Sequence, residues 1–200
     1  MVKTTLKLAM ILTVGVLLLG LVGCILNPKD DEAPPTKPKY EYLDLTHKED
    51  AIQNLVTAYK EHNVLQVEKL LHSLYIWRNQ DYDIANNNLP EYYSRSEEIT
   101  STTNIFLAAD KRSEPTKYID KLELTIEEGS WQQVTEFQGQ PCTDCWETTR
   151  EYFITVVMEG GNTTLYGNDL VVFTIVPVEE SGKTLYKIGR ADDRQKATSL

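Results

Sequence analysis

The stretch AIQNLVTAYKEHNVLQVEKLLH, residues 51–72, decides the fold. Ile52, Leu55, Val56 and Tyr59 recur at helical spacing, and THKE, residues 46–49, is a Thr-x-x-Glu capping box ahead of them. A helix is therefore expected over residues 47–61. Asn63 to Gln66 reads as a second start, with Val64, Val67, Leu70 and Leu71 forming the apolar face of a short helix. A brief strand over residues 74–78 is expected next. Residues 79–93, NQDYDIANNNLPEYY, are rich in Asn and Asp and contain a proline, which predicts a loop. Ser94 and Glu97 form another capping box, and Ile99, Thr103, Phe106 and Leu107 continue a buried side to about Ala109. The period then falls to two: Leu122, Leu124 and Ile126 alternate with polar residues, and strands are expected over 131–138, 145–158, 163–178 and 184–190. Gly160-Gly161-Asn162 and Glu180-Ser181-Gly182-Lys183 supply two hairpin turns. Helices first and an antiparallel meander second means α+β, one domain over residues 46–200.

The 200 residues are 41% hydrophobic, enough to bury one ordinary core, and two folded domains are not expected. The formal charge is −10, and without residues 1–23, which carry Lys3 and Lys7 but no acid, 18 basic residues face 30 acidic ones. Such a surface repels phosphate backbones, and no basic stripe overrides it, so nucleic acid is excluded as a partner class.

Residues 1–23 read as an export signal: two lysines, an uncharged stretch from Leu8, and small residues at its end. A retained membrane helix is the alternative, since about 20 apolar residues suffice to cross a bilayer. Leu21-Val22-Gly23-Cys24 resembles the bacterial lipobox in composition, order and distance from the start. That resemblance implies a diacylglycerol on the Cys24 thiol, cleavage before it, and a lipid bilayer as partner. Ile25 follows the cysteine where an inner-membrane retention signal carries aspartate, which makes the outer membrane of a bacterial envelope the expected location. Residues 24–45 hold Pro28, Pro34, Pro35 and Pro38 among Lys, Asp and Glu, and read as an extended tether.

The succession of a long helix, Asn63, a short helix, an aromatic strand, a third helix and a meander closing on LYKIGRADDR resembles the nuclear transport factor 2-like (cystatin-like cone) superfamily. Within it, the SRSEEI helix start and the aromatic-x-Ile closing strand resemble uncharacterised bacterial lipoproteins. The resemblance spans residues 49–194 and implies helices packed on the concave side of a strongly curved antiparallel sheet around a conical cavity. Members of the superfamily isomerise or dehydrate substrates, bind ligands, or only dimerise, so it implies fold and not function.

If the cone is functional, Tyr59, Trp77, Phe106, Tyr152, Tyr186 and Arg190 are expected to line it; the competing reading is that the aromatics fill the core. Strand alternation places Arg190 with Tyr186 and Ile188. An inward arginine pairs with an acid such as Asp192 or Asp193 or meets an anionic ligand, and at a strand end it can also face solvent. His47, His62 and His72 fall at helix ends and match no catalytic dyad. For an enzyme, Asp192 or Asp193 is the least implausible base. Cys142-Thr143-Asp144-Cys145 is a C-x-x-C; with Cys24 acylated no further cysteine remains for a zinc site, and the pair opens a strand and not a helix. A local disulfide in an oxidising compartment is the favoured reading, against metal and redox alternatives. No metal and no cofactor are expected. Asn162-Thr163-Thr164 fits a glycosylation pattern, which a bacterial lipobox discounts. The expected function is a membrane-anchored binding or envelope-accessory module taking a small molecule or an envelope protein. An isomerase, dehydratase or hydrolase with an acid in the cone is the alternative, and a homodimerising structural module is the third reading.

Overall fold

The computed structural model describes residues 40–111, 118–161 and 164–196. The leader, Cys24, most of the tether, and Asn162 and Thr163 lie outside the described residues. Helix α1 spans Lys48–Lys60 and α2 spans Val64–Leu70, with Asn63 between them. The Asn63 side chain accepts a hydrogen bond from the Gln66 amide at 3.2 Å, satisfying one orphan donor of α2. The cap of α1 lies one residue later than the Thr-x-x-Glu pattern implies: the His47 amide donates to Asp50 Oδ2 at 2.8 Å. The chain turns at Leu45 (φ 63°), whose carbonyl accepts from the Tyr186 amide at 2.8 Å, and this delays the helix entry.

Strand β1 is Leu71–Arg78, longer than expected because it starts directly after α2. Residues 79–93 are not a plain loop. They contain a short helix α3, Asp81–Asn87, and most of an edge strand β2, Tyr92–Ser94. Asn79 is fully buried and organises this return: its amide donates to Glu91 O, its side chain donates to Pro90 O at 2.6 Å, and its Oδ1 accepts from Trp77 Nε1 at 3.2 Å. Helix α4, Arg95–Ala109, starts at the expected box, with the Ser94 amide donating to Glu97 Oε2 at 2.7 Å.

The remaining strands are β3 (Ile119–Ile126), β4 (Trp131–Phe137), β5 (Gln140–Met158), β6 (Thr164–Glu180) and β7 (Lys183–Arg194). They join one seven-stranded sheet of order β2-β1-β7-β6-β5-β3, with β4 also on β5. Two features depart from a simple meander. The 19-residue β5 carries β3 along its last part and β4 along its first part. Strand β1 pairs with the last strand, β7, in parallel, Trp77 opposite Ala191. Helices α1 and α4 pack on the sheet and bury Ala51, Ile52, Ala58, Phe106 and Ala108 against Val156, Val171, Phe173, Ile175 and Ile188. Each such large side chain removed from water contributes roughly 1.5–3 kcal/mol before ordering costs. Together these make the α+β, strongly curved architecture expected from the sequence. Before α1, residues 40–45 lie along it: the Tyr40 amide and the Tyr42 hydroxyl both donate to the Glu61 carboxylate, and Leu43 exchanges two hydrogen bonds with Asn54. Among the described residues no helix is long and apolar enough to cross a membrane.

Candidate functional site

Between the helices and the concave face of the sheet lies a cavity of about 100 Å³. Helix α1 supplies Leu55 and Tyr59, β1 supplies Leu71, Tyr75 and Trp77, and β3, β5, β6 and β7 supply Leu124, Ile126, Tyr152, Ile154, Val171, Phe173 and Ile188. The alternation of β5 and β6 explains the choice: Tyr152 and Ile154 of β5 and Val171 and Phe173 of β6 are two residues apart and share the concave side.

Glu98 of α4 is the one charged residue in the described lining. Helical spacing puts Glu98, Thr102 and Phe106 on a single stripe facing the sheet, with Glu98 at its cavity end. Burial pushes the Glu98 carboxyl up to about 7, and only the Thr102 side chain opposes the shift. That Thr102 hydroxyl donates to Glu98 Oε1 at 3.4 Å. Burial and the Glu98 carboxylate together hold the phenols of Tyr59 and Tyr75 above their ordinary value.

A second buried acid stands behind the cavity wall. Asp193 Oδ1 accepts from the hydroxyl of cavity-lining Tyr152 at 3.2 Å, and its Oδ2 from Gln80 Nε2 at 3.4 Å. Burial, followed by the nearby carboxylates of Asp169 and Asp83, raises Asp193 to about 7. Asp83 is itself raised by burial. Gln80 thus ties the start of segment 79–87 to the last strand through a polar contact.

No family model and no curated protein matches the sequence. The architecture does have counterparts among solved structures. A nuclear transport factor 2-like superfamily protein from Salmonella enterica serovar Typhimurium superposes with a TM-score of 0.52 at 6% identity, over 76% of this chain and 89% of that one.

The chain has the nuclear transport factor 2-like fold.

A protein with a cystatin-like fold from Caulobacter vibrioides (TM-score 0.46, 12% identity, 75% of this chain and 87% of that one) and a ketosteroid isomerase-like protein from Erwinia carotovora (0.45, 11%, 78% and 98%) are similar at lower scores.

Within this nuclear transport factor 2-like cone, Tyr59, Trp77 and Tyr152 line the cavity, and Phe106, Tyr186 and Arg190 do not. Phe106 lies two helical turns beyond Glu98, about 12 Å along α4. There it packs edge-on beneath Tyr59 (ring centroids 5.1 Å apart) and against His62. Tyr186 sits further out along the β6–β7 hairpin, opposite Pro177, with its hydroxyl donating to Asp144. Arg190 is turned away by a bulge: Thr174 and Ile175 of β6 face Arg190 and Ile188, leaving Gly189 as an extra residue. Ile188 and Arg190 therefore point to opposite faces, and the Arg190 guanidinium pairs with Asp192 at 2.5 Å. The same bulge brings Asp193 inward. Of the two acids considered as a base, Asp192 is paired with Arg190, while Asp193 reaches the cavity only through Tyr152.

His47 caps α1, and His62 pairs with Asp110 at 2.5 Å. His72 is on strand β1, not at a helix end, with its ring edge-on to Phe137; burial and Lys187 lower its pKa. Cys142 and Cys145 form a disulfide, Cα atoms 5.7 Å apart, within an irregularity of β5 where Val134 faces Cys145 and Glu136 faces Pro141. Between them Asp144 accepts from Trp146 Nε1 at 2.7 Å as well as from Tyr186. Among the described residues no group of His, Cys, Asp or Glu is arranged to hold a metal ion.

Proposed function

We propose that the protein is an exported lipoprotein, anchored through acylated Cys24, whose cone takes up a small, largely apolar ligand. The observation that carries the binding reading is the cavity itself: aromatic and aliphatic walls with a single carboxyl, the composition of a small-molecule site. Its volume, about 100 Å³, is smaller than an engineered cavity of about 150 Å³ that holds benzene, and suits a molecule of about four heavy atoms. The anchoring reading rests on Leu21-Val22-Gly23-Cys24 and the Pro-rich stretch behind it.

Native mass spectrometry of the exported, full-length protein in detergent tests the first part. A reproducible adduct that leaves on denaturation supports it, and an empty protein from every growth condition removes it. Metabolic labelling with an alkynyl fatty acid tests the second: label is expected on the native chain and lost in Cys24→Ala, while label retained in that variant sinks the anchor.

A second reading has one observation in its favour. A carboxyl raised to about 7 inside an apolar cone has the proton affinity a general base needs near neutrality, and Glu98 meets that description. Under it, the ligand found by mass spectrometry is converted by the native protein and left unchanged by Glu98→Gln.

A further inference from the structure

The charge on the cavity wall is one-sided. Glu98 projects into an apolar space, and among the described residues the one hydrogen bond to its side chain comes from Thr102 at 3.4 Å. Neither Tyr59 nor Tyr75 bonds to it, although both rings are close enough to feel its charge. The lining holds no lysine, arginine or histidine. From its own helix Thr102 acts on the carboxyl, and the groups that feel its charge from the packed elements are Tyr59 of α1, Tyr75 of β1 and Tyr93 of β2, with Asp192 of β7 also acting on Tyr75. None of these is a cation. A buried carboxylate is normally matched by one.

The cavity that holds this acid is lined by the rings of Tyr59, Tyr75, Trp77 and Tyr152, of which Tyr59 and Tyr75 feel its charge. Aromatic rings attract cations through their quadrupoles, and the attraction grows when the site is dry. An anion would find no positive group here.

We propose that the ligand of this cone is a small organic cation, an amine or quaternary ammonium bearing short alkyl groups, whose charged centre lies beside Glu98 among the rings of Tyr59, Tyr75 and Trp77. This rests on the reading of the cavity as a ligand site. The alkyl groups meet Leu55, Ile154 and Ile188, and the charge supplies the counter-ion that the fold withholds from Glu98. Binding draws Glu98 into its ionised form, so below neutrality it releases a proton.

The test uses tetramethylammonium and an uncharged molecule of the same heavy-atom count, tert-butanol, titrated calorimetrically into the full-length protein in detergent at pH 6 and pH 8. Tetramethylammonium keeps its charge throughout, so any change with pH belongs to the protein. With Glu98 at about 7 when empty, tetramethylammonium is expected to bind about tenfold more tightly at pH 8 than at pH 6, and more tightly than tert-butanol. Glu98→Gln keeps the shape and should abolish both the preference and the pH dependence; its thermal melt reports that it folds. Equal affinity for both probes, unchanged in Glu98→Gln, overturns the cation while leaving the ligand site. Affinity that falls from pH 6 to pH 8 overturns it as well, since Glu98 is then needed protonated, as a donor to a neutral acceptor. If neither probe binds, the cation proposal falls, and the mass-spectrometric search for a resident molecule decides separately whether the cavity is a ligand site.

Discussion

Gly189 is the extra residue at which the inward and outward faces of β7 exchange. A Cβ there would approach Phe137 Cε2 and Cζ at 2.8 Å and Val176 Cγ1 at 2.9 Å, so the missing side chain also makes room for the β4 strand end. Gly189→Ala is expected to destabilise the domain by roughly 1–3 kcal/mol through this overpacking. Denaturant titration checks it, and a neutral result would mean that β4 yields freely. The bulge also explains why Arg190 could not be placed from sequence. Alternation over Tyr186, Ile188 and Arg190 is unbroken on paper, and a glycine between apolar residues does not by itself announce an extra residue. Glu98 was hidden differently. Ile99, Thr103, Phe106 and Leu107 read as the inner stripe, whereas Glu98, Thr102 and Phe106, each four residues apart, is the one that faces the sheet. Hydropathy puts a glutamate outside, so only a periodicity that ignores polarity would have found it.

The N-terminus of α1 is tied to the middle of β5 by Arg150. Its side chain is 2% exposed; it pairs with Glu49 at 2.7 Å, donates to Thr148 Oγ1 and Glu127 O, and lies over the Trp131 ring. Glu49→Gln leaves that guanidinium short of its counter-ion and is expected to cost roughly 1–3 kcal/mol, below the range for a fully buried pair because Glu49 is 34% exposed. A loss in Tm no larger than that of Glu123→Gln on the exposed side of β3 would refute the tie. The disulfide acts over a shorter span. It closes a loop of only about four residues, so replacing both Cys142 and Cys145 by Ala should cost about 2 kcal/mol, less than bridging a long loop would return. The effect should concentrate at the Trp146 and Tyr186 contacts of Asp144, visible as altered tryptophan fluorescence. The cysteine spacing was plain in the sequence. The irregular strand that houses it was not, because pairing of β5 with two different strands is a tertiary event.

Over the whole molecule, the two most strongly raised carboxyls dominate how stability depends on pH. Glu98 and Asp193 both titrate near 7 when folded and near the ordinary carboxylate value when unfolded, so the folded state holds their protons more tightly. The stability this gives is fully present below about pH 4 and is lost as pH rises through 7. Each contributes roughly 2–4 kcal/mol across that window, Glu98 at the lower end because the cavity leaves it partly accessible. Tm is expected to be higher at pH 5 than at pH 8, and Glu98→Gln and Asp193→Asn should each flatten the profile. An equally steep profile in both variants would assign the effect to the acidic surface instead. At this scale the sequence was most informative: the helix pair, the period change after Ala109 and the closing strands specify an α+β cone, because amphipathic periods are local. The parallel β1–β7 pair and the helix inside residues 79–93 depend on partners far along the chain, and no local pattern reports them.

That parallel pair joins residues more than a hundred positions apart, Leu71 with Ile188. Loops of that size close slowly, so β1 gains its neighbour only after β7 has been synthesised and docked. The cavity draws walls from both strands and is therefore among the last parts of the molecule to exist. A ligand therefore cannot guide the early steps of folding; it can only hold together a chain whose distant parts have already met.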